Sequence, residues 1–166
     1  MTFKFVAAAA IAAAVIPAPA LAETTYNPDR IVKSVENDDL VAIVKSLDHE
    51  VVQIADDSRL VGAKEKDGLS YILIGTACDA NGVSGCQGVN MQVRWNGSSG
   101  ITDANLAEAN LEYAAITSWY LADTDSLGFS RYVVLDYGIT MANLRENLKV
   151  LLAVAPRAKA IATGSN

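Results

Sequence analysis

The chain has 166 residues, 51% of them hydrophobic, and 19 acidic against 13 basic side chains give a net charge of −6. That balance repels nucleic-acid phosphates and anionic lipid head groups, and the basic residues are scattered rather than gathered into a stripe. Two cysteines and one histidine do not supply a zinc set, so no metal or cofactor is expected.

The N-terminus reads as a secretory signal peptide. Lys4 supplies the positive start, Val6–Ile16 the apolar run, Pro17 and Pro19 the break, and Ala20-Leu21-Ala22 the small residues of a cut between Ala22 and Glu23. The alternative is an uncleaved anchor, but the run is short of the roughly 20 residues needed to span a bilayer, and the prolines interrupt it. No cysteine follows the cut, which argues against a lipoprotein. The expected protein is therefore exported, periplasmic or extracellular in a bacterium, with no stable membrane insertion after cleavage. Its remaining length suits one domain with a real core.

Residues 23–29 form a polar lead-in, and the segment 28–36 is open between a short helix starting at Pro28 and a short strand through Ile31, Val32 and Val35. Asn37 then precedes Asp38 and Asp39, with Leu40, Ile43, Val44 and Leu47 spaced at i, i+3, i+4 and i+7. This predicts an asparagine-capped amphipathic helix from about Asp38 to Asp48. Short strands follow over Val51–Ile54, Arg59–Glu65, Leu69–Thr76 and Val89–Trp95, divided by Asp56-Asp57-Ser58 and Lys66-Asp67-Gly68. A second helix is predicted from about Asp103 to Ala114, with Leu106, Ala107, Asn110, Leu111 and Ala114 on one face. Ile116–Leu121 and Phe129–Tyr137 make another hairpin. Thr140 caps a last helix whose apolar face is Leu144, Leu148, Leu151 and Leu152; Pro156 should end it and leave 156–166 frayed.

Cys78 and Cys86 lie in Thr76-Ala-Cys-Asp-Ala-Asn-Gly-Val-Ser-Gly-Cys-Gln-Gly88, between two of these strands. Facing each other across a hairpin, they close a loop of about nine residues, for a chain-entropy stabilisation of about 2.5 kcal/mol. The same register sets Leu73 against Met91, Tyr71 against Val93 and Gly75 against Val89, one apolar face. Ile72 and Ile74 face Gln92 and Asn90 on a mixed face, where the cysteines also fall. A redox pair is the competing reading. The spacing is not Cys-x-x-Cys and nothing basic lies near to activate a thiol, so a structural bridge in an oxidising compartment is expected.

Catalytic signals are sparse. His49, the single histidine, sits in Asp48-His49-Glu50, where either acid could orient it, but no nucleophile motif accompanies it and helix-end placement explains it. Asp123-Thr-Asp-Ser-Leu-Gly128 resembles the start of a calcium loop, yet Val134 stands where the distal glutamate belongs, so a hairpin turn is expected. The aromatics carry more. Trp119 and Tyr120 are adjacent on a strand and point to opposite faces, so one of them is a candidate contact residue.

The order of elements resembles the YbjN-domain family in its secreted, cysteine-containing form. The resemblance is carried by Tyr71-Ile-Leu-Ile-Gly-Thr-Ala-Cys78, by Gly85-Cys-Gln-Gly-Val-Asn-Met-Gln-Val93, by a helix with Asn110, by an aromatic strand, by Leu135-Asp136 and by a final helix led by Gly138-Ile-Thr. It covers about residues 30–155. The family's paired asparagines are half kept, with Ala107 at the first position. The resemblance implies an α+β fold of the type III secretion chaperone kind: a curved antiparallel sheet of five to six strands against about three helices. It also implies a non-enzymatic module that binds a protein or peptide, and a homodimer as one possible state. The expected contact surface includes Trp119, Tyr120, Asn110 and Tyr132. The alternative is a small-ligand sensor with a pocket between sheet and helices lined by Asn110, Trp119 and Tyr132.

Overall fold

The computed structural model describes residues 25–96 and 99–165; the expected signal peptide and its cleavage point at Ala22 and Glu23 lie outside the described residues. Alternation is strongest between Ser70 and Asn96, and these residues form the centre of the sheet. Strands β4 (Ser70–Cys78) and β5 (Cys86–Asn96) pair antiparallel, with Tyr71 opposite Val93, Leu73 opposite Met91, Gly75 opposite Val89 and Cys78 opposite Cys86. This is the register that bridging the two cysteines requires. β2 (Glu50–Ala55) and β3 (Leu60–Lys64) extend the sheet on one side. β7 (Ser126–Val134) and β6 (Thr117–Leu121) extend it on the other. The order is β2-β3-β4-β5-β7-β6, antiparallel throughout. The segment left open in the sequence contains a strand, β1 (Ile31–Val32), which pairs with β8 (Ile139–Thr140) in a separate two-stranded sheet.

Burial follows the two-residue period. Val61, Ala63, Tyr71, Leu73, Val89, Met91, Val93, Leu127 and Phe129 are buried and share one face across the paired strands. Helices α1 (Asn37–Ser46) and α3 (Met141–Ala162) cover that face with Leu40, Ile43, Val44, Leu144, Leu148 and Leu151. α2 (Asp103–Glu112) packs against α3 and β6. Among the described residues all three helices therefore serve one side of the sheet.

The helix ends differ from the sequence reading in instructive ways. α1 is capped one residue earlier, by Glu36, whose N–H donates to Asp39 Oδ2 at 3.1 Å. Asn37 enters the first turn instead and donates Nδ2 to Asp56 Oδ1 at 2.8 Å. In α2 the expected apolar face is not the buried one. Ala109 is its buried residue, while Leu111 is 83% exposed. A short alanine-rich helix has several small residues that permit close approach, so weak periodicity did not fix its rotation. Thr140 caps α3 as expected, its Oγ1 accepting from Asn143 N–H at 3.1 Å. Pro156 does not end that helix, which runs to Ala162 where a frayed tail was expected. The proline is exposed, and Ala155, Ala158 and Ala162 continue the buried stripe past it; that burial offsets the lost hydrogen bond. The true stop is Gly164 at φ +65, with Gly164 N–H bonding Ile161 O at 2.9 Å and Ser165 N–H bonding Ala160 O at 2.8 Å.

Cys78 and Cys86 form the expected disulfide, but not on the mixed face. Cys86 is 1% exposed and belongs to the core. Ala77 has φ +49, which breaks the alternation just before Cys78 and turns the bridge toward the helices. The absence of a side chain at Gly75 makes room for it: a Cβ there would lie 2.5 Å from Cys86 Sγ. Outside the bridge, Val35 and Cys86 exchange backbone hydrogen bonds of 3.0 and 2.9 Å, and Arg59 pairs with both Glu36 and Asp79. The bridged end of the sheet is thus tied to the entry of α1 by the backbone bonds at Cys86 and by Arg59. Reduction should lower stability by about 2.5 kcal/mol in a urea titration. Gly75→Ala should cost roughly 1–3 kcal/mol in the oxidised protein and clearly less in the reduced one, where the sulfur can move away. Equal costs in both states would contradict this placement.

Candidate functional site

The other face of the sheet carries no helix among the described residues. Its rows are set by the same registers: Leu60, Ile74, Asn90 and Tyr132 in one, Gly62, Ile72, Gln92 and Ser130 in the next, with Thr117 across from Ser130. Thr76, Gly88 and Val134 form a third, and Arg94, Gly128 and Trp119 a fourth. At about 4.8 Å between strands and 3.3 Å per residue, the rows span roughly 500 Å². That is the size of the largest, often functional, patch on a monomer surface, and here it mixes apolar with polar side chains.

Two aromatic residues lie flat on this face because glycines let them. A Cβ on Gly128 would sit 2.0 Å from the Trp119 ring, so the indole rests directly on the glycine backbone. The Arg94 guanidinium stacks over that indole at 5.4 Å and is held by its Nε donating to Gln92 Oε1 at 2.9 Å. A Cβ on Gly88 would lie 2.2 Å from the Tyr132 hydroxyl, which is 2.9 Å from Thr76 Oγ1. Tyr132 and Val134 are each 55% exposed, and Leu121 and Val52 are also exposed at the two ends. A third glycine, Gly62, leaves a depression of about 170 Å³ bordered by Val52, Gln53, Ile72, Gln92 and Arg94. Beneath this face the buried Asn90 Oδ1 has no hydrogen-bond partner.

The four residues named from the sequence divide between the two sides. Trp119 and Tyr132 lie on the open face. Tyr120 points to the helix side, packs against the core, and donates its O–H to Asp125 Oδ1 at 2.8 Å, a bond that raises its pKa. Asn110 also works from the helix side. Its Oδ1 accepts Ser118 N–H at 2.6 Å and its Nδ2 donates to Ser118 O at 3.3 Å. It thereby closes part of the free edge of β6, which would otherwise present unpaired backbone groups. These positions do not form the sheet–helix pocket envisaged for a ligand sensor; buried side chains fill that space. Sequence reasoning missed the glycines beneath the aromatics, although their alternation with Trp119 and Tyr132 on paired strands was a usable signal.

The Asp123–Gly128 segment is a turn that runs into a strand: the short 3-10 helix Ala122–Thr124 and Asp125 at φ +45 lead into β7 at Ser126. No group of three metal-ligating side chains is present among the described residues. His49 is 14% exposed at its side chain, and its partner is neither Asp48 nor Glu50. Its Nδ1 lies 2.9 Å from the Tyr71 hydroxyl and its Nε2 3.7 Å from Glu65 Oε1. Burial, with Glu65 nearby, pushes the Tyr71 pKa up, so the phenol stays protonated. Burial, reinforced by Asp67 and opposed by His49, raises that of Glu65. The cluster braces the α1–β2 corner and shows no nucleophile. A raised carboxyl pKa means the folded state favours protonated Glu65, so its contribution is greatest below the ordinary carboxylate range and is lost as pH rises through the raised value. Thermal melts should therefore show wild type gaining stability relative to Glu65→Gln as pH falls from neutral toward 4; a pH-independent difference would contradict this.

No family model matches the sequence, and comparison with curated proteins finds no match. Solved structures do match. A chain of the ExsC–ExsE complex superposes with a TM-score of 0.56 at 11% identity, covering 78% of this chain and 95% of that one. YbjN from E. coli gives 0.51 at 11% identity, over 77% of this chain and 96% of that one. The six-stranded antiparallel sheet with helices on one face is the YbjN-like, type III secretion chaperone-like fold.

Proposed function

We propose that this protein is an exported, non-enzymatic module that holds a protein or peptide segment on the open face of its sheet. The observation that carries the reading is the pair of aromatics, Trp119 and Tyr132, laid flat over Gly128 and Gly88 on a face that no helix among the described residues covers. Flat rings beside Ile72, Ile74, Leu60 and Val134 offer apolar area at low ordering cost, and Arg94, Gln92 and Asn90 supply hydrogen-bonding direction. ExsC, in the same fold, is solved in complex with ExsE, which supports a protein ligand here. The signal-peptide pattern and the disulfide support export to an oxidising compartment.

Chemical cross-linking in the native compartment, followed by mass spectrometry, tests the reading. Cross-links to a partner should map to β4, β5 and β7. The paired change Ile74→Asp and Tyr132→Asp should cut recovery at least tenfold, whereas Glu146→Gln on the exposed side of α3 should leave it unchanged. Cross-links that map to the helices and survive the Asp variants would overturn it.

A further inference from the structure

On the opposite side of the molecule from the open face, the lead-in, α1 and α3 enclose a cleft of about 420 Å³, a volume usual for small-molecule sites. Two buried polar atoms on residues lining it have no partner: the Tyr26 hydroxyl and Arg145 Nε. Both can donate. The Arg145 guanidinium also stacks over the Tyr26 ring at 5.1 Å, which fixes the two groups together. Buried donors without acceptors are uncommon in folded proteins and mark a place where an acceptor is expected. Val41 and Ala42 give the cleft an apolar part, and Asp38 and Ser46 add acceptors. Ser46 already spends its own proton on Ile43 O at 2.7 Å, so its oxygen is left to accept.

We propose that this cleft binds a small carboxylate that also carries a hydroxyl or ammonium group. The carboxylate accepts from Tyr26 and Arg145, and the donor group faces Asp38 and Ser46. A charge-assisted hydrogen bond from arginine is among the stronger interactions available to such a ligand. The site is independent of the open sheet face, so it stands or falls separately from the protein-binding reading.

Thermal melts of the purified protein with serine, lactate, succinate or inorganic phosphate test this. A hydroxy or amino carboxylate should raise Tm by roughly 5 °C or more at a hundredfold excess over its Kd. Phosphate should do less. Tyr26→Phe and Arg145→Lys should each weaken the Kd of that carboxylate at least tenfold. Without ligand, Tyr26→Phe should melt at the same temperature or higher, because it removes a donor with no partner. No shift with any carboxylate would overturn the proposal, as would a lower Tm for ligand-free Tyr26→Phe. A third outcome would also overturn it: Glu23→Gln lowering the ligand-free Tm in wild type but not in the Tyr26→Phe background, which would make the acceptor the chain's own carboxylate.

Discussion

The pairing of β4 with β5 decides which side chains of this protein meet water. A strand has a period of two, so a slip of one residue would exchange the buried row Tyr71, Leu73, Met91 and Val93 for Ile72, Ile74, Asn90 and Gln92. The disulfide at the end of this hairpin holds the register covalently. Ala77 and Gly75 let the bridge turn into the core rather than stand on the outer face. From there the order propagates outward. β3 and β7 add to the hairpin in matching phase, and the backbone bonds between Val35 and Cys86 bring the entry of α1 onto the buried side.

One consequence is a strict division of labour. The helices satisfy a single face, and polar contacts secure its margins. Asn110 closes the edge of β6, Arg131 reaches Asn147 of α3, and His49 meets Tyr71 at the α1 corner. The other face is finished differently. Its glycines bring aromatic rings down onto the backbone, making it flat rather than ridged, and the depression at Gly62 interrupts the flatness. A flat, sparsely charged sheet face flanked by hydrogen-bonding amides suits an extended or helical segment laid across it better than a substrate engulfed in a pocket.

Much of this was legible in the residues. The hairpin register followed from the two cysteines alone, and the cap at Thr140 followed from a short polar side chain ahead of periodic apolar ones, whereas Asn37, expected as a cap, enters the first turn behind Glu36. What was not legible depended on backbone angles or on distant partners. The positive φ of Ala77 has no residue-type signature, and it moved the disulfide to the other face. Pro156 reads as a stop until the burial of Ala158 and Ala162 is known. Tyr120 and Trp119 were correctly set on opposite faces, but which one faced out depended on β7 pairing with β5. Glu65 as the neighbour of His49 was out of reach for a like reason, since it arrives from just past the end of β3.

A face that holds a partner is open in the isolated protein and shielded where the partner is present, and Trp119 and Tyr132 report on it. Hydroxyl-radical footprinting of the purified protein and of the protein in its native compartment measures this directly. Trp119 and Tyr132 should be oxidised readily when pure and protected in the compartment, while Tyr137, 97% exposed in a turn, reacts equally in both and Phe129 in neither. Equal oxidation of Trp119 and Tyr132 in the two settings, or protection that falls on Tyr137 instead, would contradict it.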